Sequence, residues 1–162
     1  MELASNLPAR NAAESELSSL QLNHDVCIPL TGKTIVFDEL SLEFKNDHIH
    51  LTQGKNFEIT PDGMKSFWDY LRKQCEHHDC TNILIEAEAP TRSMDTVAAF
   101  TSGVQLASVA PNLWMALCFL RYKPDEISEL FRQAARNRGA NVEFFTDREA
   151  ALVWLRANNP SF

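Results

Sequence analysis

The side chains best suited to hold a metal stand in CEHHDC, residues 75 to 80, and upstream, where His48 and His50 alternate with Ile49 and Leu51. Together they offer the thiolate and imidazole ligands that zinc takes. The spacing speaks against such a site. Cys75 falls on the apolar stripe of a predicted helix, and adjacent His77 and His78 leave a helix end in different directions, so a solvated helix C-terminus is the favoured reading and no metal is assigned. His48 and His50 share one face of a strand; the outer face of an exposed hairpin is favoured over a ligand cleft or a group titrating near neutrality. TGKT at 31 to 34 matches the end of a phosphate-binding loop, but the first glycine of G-x-x-x-x-G-K-[ST] would fall at Cys27 and a strand follows, so that motif is rejected. No nucleophile elbow and no paired acid/base motif appears, and Ser102-Gly103 lies within a predicted helix. No catalytic residue and no cofactor are therefore assigned, although an enzyme site assembled across loops stays open.

Hydroxyls offer a different chemistry. A Ser or Thr at a helix N-terminus suits phosphorylation, because the dipole and free amides favour added negative charge, and that charge can repel an acidic partner. Thr91, Ser93 and Thr96 in PTRSMDTVAAF qualify by position, while Ser93 or Thr91 as a plain N-cap is the commoner role. Arg121, Lys123, Arg132, Arg136 and Arg138 gather charge around one predicted helix. A solvated face with cations near the C-terminal end is preferred there to a docking patch for an acidic partner or an anion.

Composition narrows the classes of function. With 162 residues and 44% hydrophobic content, one globular domain with a mobile appendage is expected. A net charge of −7 gives phosphate backbones and anionic lipid no general attraction, so neither nucleic acid nor a membrane is expected as a partner. The longest apolar runs, such as LWMALCFL at 113 to 120, fall far short of the roughly 20 residues that span a bilayer. The first residues lack the basic start and apolar middle of a secretory signal, and Cys27, Cys75, Cys80 and Cys118 show neither a CxxC pair nor a framework spacing. Reduced thiols in a cytoplasm are expected, with Cys118 a small core residue.

The elements that must position these groups follow from periodicity. Residues 1 to 30, rich in Ala, Ser, Asn and Glu, read as a flexible tail, and 31 to 162 as a single domain. TIVFDELSLEFK, a turn at Asn46-Asp47 and HIHLTQ predict a β-hairpin. Thr60 as N-cap and Pro61 at the first position open a helix whose Met64, Phe67, Trp68, Leu71 and Cys75 form one buried face. NILIEAEA predicts a strand, MDTVAAFTSGVQLAS a helix of small apolar residues, and LWMALCFL a strand covered on both faces. A helix from Pro124 to Arg138, with Asp125 and Glu126 in its first turn, carries Ile127, Leu130, Phe131 and Ala134 inward and stops at Gly139. Val142 to Phe145 predicts the last strand, and Thr146 with Glu149 a capping box for a final helix with Ala151, Trp154 and Leu155 inward. A hairpin followed by three strand-and-helix alternations implies right-handed crossovers and an α/β fold: a mixed, mostly parallel sheet of about five strands packed by about four helices.

The order of elements, and the ending in which NRGANV leads into FFTDREAALVWL, resemble the SpoIIAA-like branch of the STAS superfamily, the sulphate-transporter and anti-sigma-factor-antagonist domain, over roughly residues 35 to 157. The resemblance implies a regulatory, commonly non-enzymatic module that works through a protein partner or a bound ligand. Members of the anti-sigma-antagonist type carry a switch Ser or Thr, preceded by Asp, where the central strand meets the second helix. Asp95-Thr96 is the nearest equivalent, with Val97-Ala98 where Ser-Gly usually follows. Two functions are thus carried forward. One is an interaction module whose loop holds Thr91, Ser93, Asp95 and Thr96 and which meets an unidentified regulatory protein or, along the exposed hairpin edge, a second copy of itself. The other is a carrier or enzyme for a small apolar ligand, with a cavity between the sheet and the helix bearing Phe100 and Val104.

Overall fold

The computed structural model describes residues 28–30, 33–35, 40–54, 58–88 and 90–158. The tail expected over residues 1 to 30 lies outside the described residues as far as residue 27; its last three, Ile28–Leu30 (β1), pair antiparallel with Lys33–Ile35 (β2). The expected first strand of the main hairpin is therefore split. Its start belongs to this two-stranded ribbon, and only Ser41–Phe44 (β3) pairs with Ile49–Thr52 (β4) across the predicted turn, where Asn46 takes a left-handed φ of 66°.

From β4 onward the sheet is parallel. Asn82–Ala87 (β6), Trp114–Phe119 (β8) and Asn141–Phe145 (β9) follow in the order β3-β4-β6-β8-β9, so one antiparallel pair opens an otherwise parallel five-stranded sheet. Four helices complete the described α/β fold: Pro61–His78 (α1), Thr96–Leu106 (α2), Glu126–Arg136 (α3) and Arg148–Asn158 (α4). A second small sheet joins Glu58–Ile59 (β5) to Thr91–Arg92 (β7), two residues each and parallel.

Alternation along the strands sorts the core into two layers. Ile49, Leu51, Ile83, Ile85, Met115 and Leu117 face α1, α2 and α3, whereas Leu84, Ala116 and Cys118 face Ala151, Leu152 and Leu155 of α4. Each crossover from β4 to β9 steps one strand along in the same direction with its helix on the same face, so all three share one hand. Cys118, 1% exposed, is the core residue expected of it, and Trp154 packs its ring on Trp114 and Phe145.

The helix ends refine the sequence reading. Thr60 caps α1 as expected, and Asp79 ends it with a left-handed φ of 49°. Elsewhere an aspartate takes the cap. Asp95, not Ser93 or Thr91, receives Ala98 N–H at 2.8 Å; Asp125 receives Ser128 N–H at 3.0 Å, which leaves Pro124 outside α3; Asp147, not Thr146, receives Ala150 N–H at 2.9 Å. An ionised carboxylate accepts these amides more strongly than a hydroxyl does and also meets the positive end of the dipole.

α2 and α3 touch where Gly103 leaves room. A Cβ there would stand 2.5 Å from the Phe131 carbonyl oxygen and 2.9 Å from Ala134 Cβ. Backbone cannot yield as a flexible side chain does. Gly103→Ala is therefore expected to destabilise the fold by about 1–3 kcal/mol, seen as a lower urea midpoint at unchanged slope. Ser108→Ala, on the exposed turn after α2, should stay within about 0.5 kcal/mol of the parent chain. Equal midpoints for both variants would contradict the close contact.

Candidate functional site: a cavity beneath residues 90 to 96

The carboxyl ends of parallel strands are where α/β sheets place their ligand sites, and a cavity of about 70 Å³ lies there, open on one side. The sheet supplies Ile85, Leu117, Phe119 and Phe144 as its floor. Three helices supply the walls: Met64, Phe67 and Trp68 from α1, Ala99 and Ser102 from α2, Ile127 and Phe131 from α3. Ile59 of β5, with Arg92 and Met94 from the stretch between β6 and α2, borders it further.

That stretch is extended, so its side chains alternate. Arg92 and Met94 turn to the cavity, while Thr91, Ser93 and Asp95 face solvent. Its backbone is tied to β5 by the β5–β7 pairing and by Ser93 N–H donating to the Ile59 carbonyl at 3.0 Å. Thr96, also exposed, is the first residue of α2. Of the residues singled out from sequence, Thr91, Ser93, Asp95 and Thr96 thus come together on one exposed row, with Val97 72% and Phe100 44% exposed on the adjoining turn of α2.

The cavity residues expected on α2 are not the ones that line it. Phe100 lies under the Arg138 guanidinium, 5.4 Å from its ring centroid, and Val104 is half-buried away from the lining. The close approach to α3 accounts for the difference: where α2 meets α3 its inward residues are the small Ala99, Ser102 and Gly103, with Leu106 buried beyond them.

The polar groups around the cavity are paired among themselves with one exception. Trp68 Nε1–H donates to Ser102 Oγ at 3.0 Å. Arg92 grips the Asp125 carboxylate with both terminal nitrogens and reaches Tyr122 Oη at 3.2 Å and Ser128 Oγ at 3.1 Å, so it is latched to the start of α3. The Arg92 guanidinium, helped by Ser128, holds the Asp125 carboxyl well below the usual carboxylate range. The exception is Gln53, 7% exposed, whose buried Oε1 has no partner. Its position was legible, since the inward phase set by Ile49 and Leu51 continues to it. Arg92, Tyr122, Asp125 and Ser128 carried no such signal, because their meeting depends on loops.

The other candidate groups disperse. Cys75 and Cys80 are buried, and burial pushes the Cys75 thiol up to about 12 and raises that of Cys80, which disfavours the thiolate a metal or a nucleophile needs. His77 is exposed on the last turn of α1 and His78 stacks on Phe44 at 4.7 Å. Among the described residues no three His, Cys, Asp or Glu side chains are grouped to hold a metal ion. His48 and His50 do not line an exposed face: β4 lies between β3 and β6, His48 is 5% exposed and paired with Asp47, and His50 Nε2 meets Glu86, with Arg148 Nε 3.6 Å from the same carboxylate oxygen. Arg132 and Arg136 bind Glu143 at 2.8 Å and 2.9 Å, so two of the five cations in the basic cluster are paired with a carboxylate. No described helix is long and apolar enough to cross a membrane. No protein-family model matches the chain, and no curated protein matches it either.

The latch has a pH signature. A carboxyl depressed in the fold relative to about 3.9 in the unfolded chain contributes stability that is complete above about pH 5 and fades as pH falls through the lower folded value. Asn caps a helix nearly as well as Asp but carries no charge, so Asp125→Asn isolates the ion pair. With the Asp125 side chain 51% exposed, solvent screens the pair and the expected loss at neutral pH is only about 0.5–1 kcal/mol. Urea unfolding from pH 7 to pH 2 should show parent and variant converging below about pH 4; a constant gap across that range would exclude the latch.

Proposed function

We propose that the protein is a STAS-like regulatory module, non-catalytic and cytoplasmic, that meets a protein partner through the row Thr91, Ser93, Asp95 and Thr96 and the adjoining turn of α2. The observation that carries this reading is the alternation along 91 to 95, which places hydroxyls outside and the cavity-facing Arg92 and Met94 inside on the same short backbone. Thr96 supports it further. It stands at the first position of α2, near the positive end of the helix dipole, and a charge added there repels an acidic partner without entering the core. Val97 and Phe100 offer apolar area beside it, as partner-facing surfaces do. β3 pairs only with β4 among the described strands, so pairing of two copies along its outer edge is compatible with the same module.

A second reading, carriage of a small apolar ligand, is favoured by the cavity itself. Intact-complex mass spectrometry of the chain taken from its own cells, with fragmentation of residues 81 to 108, separates the two. The module reading expects a phosphate on Thr91, Ser93 or Thr96, or a bound protein; a bare chain carrying a small molecule would shift the conclusion to the carrier. Because the row is exposed, Ser93→Asp and Thr96→Asp should leave the melting temperature within about 2 °C while changing capture of that protein at least severalfold. Capture unchanged by both substitutions would remove this surface from consideration.

A further inference from the structure

We infer that the cavity beneath β7 and α2 takes the end of an unbranched hydrocarbon tail, and that the polar head of such an amphiphile stays outside the mouth and is not selected. The inference rests on the ligand-carrying reading and narrows it to a chemical class.

The few polar residues at the border decide the chemistry by pairing with one another. Trp68 Nε1–H is committed to Ser102 Oγ, and the Arg92 guanidinium to Asp125, Tyr122 and Ser128. The Gln53 side-chain oxygen is buried and is not presented to the space, so the surface that lines it is almost wholly apolar. Water is a poor occupant of such a place. A volume of about 70 Å³ is several times the ~10–15 Å³ that one water needs, yet a buried water is held by two to four polar partners and none is offered here. Close-packed interiors keep few voids of this size. A hydrocarbon group that enters through the open side leaves water and gains contacts with the wall.

Size and shape select the group. The volume is about half of the engineered apolar cavity of about 150 Å³ that holds benzene, so a ring or a branched end is too wide to be enclosed, and a narrow chain end of a few carbons fits. Met64 and Met94, unbranched and adaptable, let the wall close around it. The half-buried lining residues Ile59, Met94, Ile127 and Phe144 make the mouth apolar, with the joined Arg92–Asp125 pair beside it. A head left in water next to a pair that already cancels its own charge gains nothing from its sign.

A set of hexyl compounds, titrated into the full chain at about 0.15 M salt, tests this. Hexanol, hexanoate and hexylammonium share the tail and differ in the head; 1,6-hexanediol cannot enter without burying a hydroxyl; 3,3-dimethyl-1-butanol keeps the carbon count but ends in a bulky branch. NMR follows the Trp68 indole N–H and the Met64 and Met94 methyl groups, with the Trp114 and Trp154 indoles on the opposite face of the sheet as controls. The expected result is saturable shifts at the cavity reporters and not at the controls. The three single-headed straight compounds should bind within about threefold of one another, and the diol and the branched alcohol at least about fivefold more weakly than hexanol. Ala99→Leu, which fills the space from α2, should abolish the shifts, and the comparison on the unaltered chain stands if that variant fails to fold. A diol or branched alcohol inside the fivefold margin, one head preferred beyond threefold, or shifts that persist in a folded Ala99→Leu overturns the inference and leaves a carrier of other specificity. Absence of saturable shifts with every compound at its solubility limit overturns the inference and the carrier reading together.

Discussion

β8 has no face that meets water. Met115, Leu117 and Phe119 are buried beneath α1, α2 and α3, and Ala116 and Cys118 beneath α4. A strand of this kind is stable only with helices on both sides and a parallel neighbour along each edge, because each of its backbone groups must be paired and each of its side chains covered. β6 and β9 supply the edges, and the crossovers that carry the chain between them supply the helices on one face. α4 is then obliged to cross to the other. The order of the elements follows from how one hydrophobic hexapeptide, Trp114–Phe119, has to be enclosed.

The cavity is a by-product of the same enclosure. Covering β6, β8 and β9 from one face brings α2 and α3 close together, and that closeness is reached with a glycine and small residues on the buried side of α2. Ala99 and Ser102 belong to that small side, so near the carboxyl ends of the strands they leave space between α1, α3 and the sheet that a larger pair would fill. Met64 and Met94 soften its outline without closing it. The fold therefore carries a pocket for reasons of helix packing, and its chemistry is decided by the few polar residues that happen to border it.

What the sequence disclosed and what it withheld divide along the same physical line. Periodicity is a local property, so the α1 stripe through Met64, Phe67, Leu71 and Cys75, the wholly apolar β8 and the inward Ala151 and Leu155 of α4 could be read directly. Helix caps were displaced by one to four residues because Thr91, Ser93 and Asp95, or Thr146 and Asp147, are all competent caps in adjacent positions, and only the backbone path selects among them. β5 and β7 are two residues each, too short to show a period. The environment of His48 and His50 depends on β4 lying between β3 and β6, a fact about strand order that no short stretch contains. Phe100 and Val104 were natural cavity candidates by size, yet the contact at Gly103 turns the small side of α2 inward instead.

The 90 to 96 segment joins the two candidate roles through one short piece of backbone. Its outer row is exposed and its inner row, Arg92 and Met94, touches the cavity; Arg92 in turn holds the aspartate that caps α3. Any displacement of the outer row must move Arg92, and moving Arg92 loosens both the mouth of the cavity and the first turn of α3. Resistance to that displacement is small. The β5–β7 pairing is only two residues long, and the Arg92–Asp125 pair is half-exposed and screened. By contrast β6, immediately before it, is buried along almost its whole length and cannot follow. The weakly held, alternating residues 90 to 95 thus stand between a buried strand and a well-capped helix. A ligand that bound one arrangement of the inner row better than another would bias the outer row by that difference and no more.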